Sequence, residues 1–210
     1  RLLDRAPLGL HLARPWHVCI VGPPNAGKST LINALAGYER AITDPRPGTT
    51  RDLVTVETTV AGWWIRLYDT AGLRDTRDPL EAAGTRLAER AAREADVTLL
   101  VLDRSVPYDG RLRDRFPDAV LVWNKTDLPA HPANESIESD CAVSAATGAG
   151  LDRLLNTIAQ RLVPEPLPPG APVPFTDRQI DLLRKAHQAL AVRSEQAAES
   201  AASALWAVLE

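Results

Sequence analysis

The densest chemistry in this chain lies in Gly22-Pro23-Pro24-Asn25-Ala26-Gly27-Lys28-Ser29-Thr30. A Gly-x-x-x-x-Gly-Lys-Ser run turns the backbone N–H groups of Asn25, Ala26, Gly27, Lys28 and Ser29 toward one anionic centre, with the free amides of a helix start behind them. Lys28 reaches the β- and γ-phosphates, the Ser29 hydroxyl is placed to ligate Mg²⁺, and Thr30 completes the nucleotide-binding run. Such a cradle holds a nucleoside triphosphate without choosing its base.

The base is chosen by Asn124-Lys125-Thr126-Asp127. The Asp127 carboxylate accepts from both N1–H and the exocyclic amine of guanine, whereas adenine would set an acceptor against it. Asn124 is expected to tie this loop to the phosphate loop, and the Lys125 stem to lie over the base plane. Ser144-Ala145-Ala146 offers backbone N–H to the guanine O6. Asp69-Thr70-Ala71-Gly72 reads as the γ-phosphate sensor: Asp69 holds Mg²⁺ through water, and the Gly72 N–H bonds the γ-phosphate while it is present. Thr50 completes the Mg²⁺ shell. Hydrolysis removes both tethers and releases both loops, so the set implies a GTPase.

These residues need strand ends to stand on. Residues 17–21 are an apolar run followed by the glycine loop and a helix with Leu31, Ile32 and Leu35 at helical spacing; Gly37 is its stop. Residues 38–51 hold Pro45, Pro47 and Gly48 and read as an irregular loop. Residues 53–60 and 63–68 are strands joined at Ala61-Gly62. Residues 80–95 form a helix with Leu80, Leu87, Ala91 and Ala95 on one side, and 97–102 a strand buried on both faces. Residues 103–116 leave room for a short helix at most. Strands at 119–123 and 141–143 precede an amphipathic helix over 151–162, with Leu151, Leu154, Leu155, Ile158 and Leu162 inward. The alternation predicts an α/β, doubly wound, mostly parallel sheet with one antiparallel edge strand, its ligand at the carboxyl ends.

The expected organisation is a lead-in segment at 1–15, a GTP-binding domain at 16–163, a Pro-rich linker at 164–174 and a C-terminal helix at 175–210. Thr176 is the predicted N-cap, Gln179 completes a capping box, and Phe175 and Ile180 sit at staple positions. Ile180, Leu183, Ala186, Leu190, Ala197, Ala201 and Leu205 make a stripe that needs a partner, either this domain or another.

Composition excludes several classes. At 210 residues there is room for one α/β domain and an appendage, and a net charge of −3 gives no global basic footprint for nucleic acid. No run approaches the roughly 18 apolar residues of a membrane span. Cys19 and Cys141 sit in apolar runs and read as reduced, buried thiols of a cytoplasmic protein. With no methionine, Arg1 is not an initiator, and a fragment is expected.

Pro24-Asn25-Ala26-Gly27-Lys28-Ser29, Pro47-Gly48-Thr49-Thr50-Arg51-Asp52 and Asp69-Thr70-Ala71-Gly72-Leu73-Arg74 together resemble the Era/EngA/TrmE group of bacterial GTPases. With Glu81 and Gly84 following, the chain is most similar to the TrmE (MnmE) tRNA-modification GTPases, over about residues 18–190. That resemblance implies a P-loop GTPase fold and a Glu81 that acts on the attacking water indirectly, since Leu73 stands where many GTPases have Gln. It implies K⁺ held by the Asn25 amide oxygen with carbonyls of residues 43–47, and two G domains pairing face to face in the GTP state. It also implies a flavin-dependent partner acting with it on the wobble uridine of tRNA. An Era- or EngA-like role on ribosomal RNA, or a GTP-timed protein-binding switch without RNA, stays open. The family's folate-binding domain and Cys-Ile-Gly-Lys ending are not in this sequence, which a fragment and a divergent stand-alone GTPase both explain.

Overall fold

Three apolar runs become the middle of one sheet because helices cover both of its faces. They are β1 (Trp16–Val21), β4 (Val97–Asp103) and β5 (Val120–Asn124), in which nearly every position is buried. The computed structural model describes residues 2–38, 54–69, 81–191 and 201–203. In the described chain β2 (Val54–Val60), β3 (Trp63–Asp69) and β6 (Cys141–Ala142) complete six strands in the order β2-β3-β1-β4-β5-β6. Every pairing is parallel except β2 with β3, which is antiparallel. This is the predicted doubly wound α/β sheet with one antiparallel edge strand. Its hairpin turns at Ala61-Gly62, both at positive φ (51° and 83°), the conformation a two-residue turn between right-twisted strands requires.

The strand order reverses at β1, so the crevice beyond its carboxyl end is where a ligand belongs. Gly22 leaves β1 there with φ +147°, and a Cβ on it would stand 2.1 Å from the Val101 carbonyl oxygen of β4. Only glycine lets the chain escape between the two strands.

Helix α2 (Lys28–Tyr38) buries Leu31, Ile32 and Leu35. It runs through Gly37, the predicted stop, and is described as far as Tyr38, whose hydroxyl donates to Asp152. Helix α3 spans Glu81–Glu94, and its Ala91 and Ala92, with Ala95 just beyond, pack on a cluster of Cys19, Val21, Leu100, Leu102 and Trp123. The short α4 (Arg111–Arg115) fills the 103–116 stretch. Helix α5 (Leu151–Leu162) buries all five residues of its predicted stripe, each worth about 1.5–3 kcal/mol of transfer energy. Cys19 and Cys141 are free and buried. Burial, with Asp69 nearby, pushes the Cys19 thiol up to about 12, so it is inert. No helix among the described residues is long and apolar enough to cross a membrane.

By contacts the chain divides into two units, Trp16–Pro164, described above, and a second made of Arg1–Pro15 with Glu165–Glu210. In the second, a 3₁₀ turn at Leu3–Arg5 leads into α1 (Ala6–Leu10), and α6 (Asp177–Ala191) packs on that turn. Arg5 donates to the Pro172 carbonyl at 3.4 Å, and Arg14 pairs with Asp177. At the start of α6 the Gln179 N–H donates to Thr176 Oγ1 at 3.2 Å, as a cap predicts. Gln179 Oε1 accepts from the Phe175 N–H at 3.0 Å, one residue earlier than in a regular capping box. Phe175 is 48% exposed against 3% for Ile180, so the predicted staple is not closed. Of the predicted stripe, Ile180, Leu183, Ala186 and Ala201 are buried and Leu190 is exposed; Ala197 and Leu205 lie outside the described residues.

Replacing Gly22 by alanine is expected to cost about 3 kcal/mol or more, from the clash and the backbone strain together. Urea unfolding of the variant measures it, and an unchanged midpoint would contradict the close approach.

Candidate nucleotide-binding site

The phosphate loop is shaped by two residues in left-handed conformation, Asn25 (φ 62°) and Gly27 (φ 85°). A Cβ on Gly27 would lie 2.4 Å from the Asn124 amide nitrogen, so the second glycine of the motif is dictated by the base loop and not only by the turn. Ala26 is fully buried. Lys28, only 5% exposed, curls back so that its ammonium donates to the Pro23 carbonyl at 2.7 Å. A cation this nearly buried at a helix start favours an anion beside it, which fits a phosphate.

Two of the predicted Mg²⁺ residues, one at the start of α2 and one at the end of β3, meet. Ser29 Oγ donates to Asp69 Oδ2 at 2.6 Å, and Asp69, last in β3, is 4% exposed. A hydroxyl and a carboxylate in that contact are a hard-oxygen pair suited to Mg²⁺. Thr50 and Gly72 lie outside the described residues, and Glu81 is described only as the first residue of α3.

Asn124 ends β5 and is 1% exposed. Its Nδ2 donates to the Ala26 carbonyl at 2.9 Å, and its Oδ1 accepts the Ala145 N–H at 3.0 Å. One side chain thus joins the phosphate loop, the base loop and the loop after β6. The Ala145 N–H, expected to face guanine O6, is held by Asn124 in this arrangement; Ala146 next to it is exposed. Ser144 is fully buried, and its hydroxyl donates to Asp127 Oδ1 at 2.5 Å while accepting the Thr147 N–H at 3.2 Å. That restrains one oxygen of the exposed Asp127 carboxylate. The Thr126 N–H meets the Val143 carbonyl at 3.1 Å, tying the two loops again.

Lys125 has φ 60°, and its ammonium pairs with Asp103 at 2.6 Å. Burial would raise the Asp103 carboxyl, but the Lys125 and Ser105 hydrogen bonds outweigh it and hold the group below its usual range. Asp103 escaped the sequence reading because it lies in no motif. Its position at the end of a buried strand was the available signal.

The family described as 50S ribosome-binding GTPase matches residues 17–125. The chain is 42% identical over 189 residues to the tRNA modification GTPase MnmE of Thermus thermophilus, a match covering 90% of this chain and 42% of that protein. It is 38% identical over 222 residues to the tRNA modification GTPase MnmE of Chloroflexus aurantiacus, covering 99% and 48%. The chain therefore spans under half the length of these curated relatives. Among solved structures it is similar to the G domain of the Thermotoga maritima FeoB iron transporter, with TM-score 0.51, 23% identity, and coverage of 70% of this chain and 99% of that one. The elongation factor SelB of Methanococcus maripaludis gives TM-score 0.51 at 20% identity, covering 74% and 35%. Both likenesses speak to the fold alone.

Asp127→Asn is expected to weaken guanine nucleotide by about 3 kcal/mol or more and to admit xanthine nucleotide, since the amide can donate where the carboxylate only accepts. Titration calorimetry with both nucleotides reads the exchange. Unaltered GTP affinity would remove Asp127 from base recognition.

Proposed function

The chain belongs to the 50S ribosome-binding GTPase family, and from that membership together with its likeness to tRNA modification GTPases we propose that it is the GTP-hydrolysing switch of a cytoplasmic protein that modifies the tRNA wobble uridine. Membership brings guanine nucleotide as ligand and GTP hydrolysis as activity. The observation that carries the site is the buried Asn124, which links the phosphate loop to both loops expected around the base. The tRNA role rests on likeness to the tRNA modification GTPases.

In this reading Lys28 and the amides of residues 25–29 bind the phosphates, while Asp127 and the stretch Ser144-Ala145-Ala146 define the guanine pocket. Ser29, Asp69 and Thr50 would hold Mg²⁺, which when bound neutralises charge on the transferred phosphoryl group. The Gly72 N–H senses the γ-phosphate, and Glu81 orients the attacking water through an intermediary. Asn25, exposed at the loop tip, would hold K⁺ with carbonyls of residues 43–47, supplying the positive charge that an arginine finger brings elsewhere. Two G domains then pair across their nucleotides.

Glu81→Ala is expected to slow single-turnover GTP hydrolysis about 10²-fold or more with nucleotide affinity kept; a normal rate excludes Glu81. Hydrolysis is expected to be faster in K⁺ than in Na⁺ at matched ionic strength, with dimers forming on GDP and aluminium fluoride. Equal rates and a monomer throughout would leave Asn25 as a brace for the loop. Binding of the GTP-loaded protein to 50S subunits, with none to tRNA or a tRNA-modifying partner, would replace the tRNA role with a ribosomal one.

A further inference from the structure

We propose that Asp103, a residue outside the nucleotide motifs, positions Lys125 as a preformed platform for the guanine base and so sets how long the nucleotide stays bound. The inference rests on the GTP-binding reading above. Asp103 closes β4 directly beside Asn124 in the β4–β5 register, at the mouth of the base loop. Its Oδ2 accepts from the Lys125 ammonium at 2.6 Å, and its Oδ1 accepts from the Ser105 N–H at 2.8 Å and the Ser105 hydroxyl at 2.6 Å. Both carboxylate oxygens are engaged, so the group has one orientation.

The turn that carries Ser105 is itself latched. Asn134, 3% exposed, donates to the Arg104 carbonyl at 3.0 Å and the Val106 carbonyl at 2.7 Å, and accepts the Tyr108 N–H at 3.1 Å. The His131 N–H adds a bond to the Arg104 carbonyl at 2.9 Å. Asp103 thus leans on a fixed loop.

Lys125 is held at both ends, its backbone by the left-handed turn and its head by Asp103, while its stem passes the phosphate loop near Gly27. A free lysine stem loses rotamer freedom when a base settles on it. Here that ordering precedes the nucleotide, which favours slow release. Asp127, the expected reader of the base, is not in this chain of contacts, so residence and base choice are separable.

The test is stopped-flow release of a fluorescent GDP from the intact protein, in wild type, Asp103→Asn, Lys125→Met and the double variant. Each single substitution is expected to speed release about tenfold, the range of a hydrogen bond to a charged group, and the double variant to release no faster than Lys125→Met. Non-additivity marks action through the lysine. Release from Asp103→Asn at the wild-type rate overturns the proposal, and so do fully multiplicative effects, which mean that Asp103 acts independently of Lys125. Should Asp103→Asn not fold, Ser105→Ala frees the carboxylate to swing; severalfold faster release supports the proposal and a wild-type rate refutes it. A wild-type protein that binds no GDP refutes the nucleotide reading itself, before any substitution is compared.

Discussion

A carboxamide buried from water must have both its donor and its acceptor met, and in Asn124 this requirement holds the site together. The donor reaches Ala26, 98 residues away in sequence, and the acceptor takes the Ala145 N–H. Three loops that share no sequence neighbourhood acquire one geometry. Alanine at 124 would leave the buried Ala26 carbonyl and the half-buried Ala145 N–H without this partner, a cost that falls on all three loops at once. The closeness is tight enough to exclude any side chain at position 27.

The sheet makes that contact available. Parallel strands β1, β4 and β5 end at one edge, so Gly22, Asp103 and Asn124 leave it side by side. Apolar strands buried on both faces allow little slippage, because a shift of one residue would carry every side chain to the opposite face, where close packing is shaped around others. Burial of β1, β4 and β5 therefore does more than stabilise the domain. It sets the spacing from which the loops reach their ligand.

Polar groups at this edge are paired with one another in a regular pattern. Ser29 meets Asp69, Ser144 meets Asp127, and Lys125 meets Asp103. Each pair joins residues from separate segments, and each contains a group expected to touch phosphate, metal or base. Arranging the groups before binding lowers the entropy that the ligand must offset.

Local chemistry was legible in the residues themselves. The Gly-x-x-x-x-Gly-Lys-Ser loop, the Ala61-Gly62 turn, the five-residue stripe of α5 and the Thr176 cap depend on residues a few positions apart, and dihedral preference and periodicity act at that range. So do the strands, whose unbroken apolar runs announce burial on both faces. Residues 39–53 and 70–80, where Thr50 and Gly72 lie, fall outside the described residues. What folding alone decided involves partners far away in the chain. Helix α2 continues through Gly37, Leu190 and Phe175 stay exposed, and Arg1–Pro15 joins Glu165–Glu210. Asp103 finds Lys125 only because β4 and β5 lie in register. A short-range pattern cannot encode such pairs, since the free energy of a contact depends on which surfaces the completed sheet brings together.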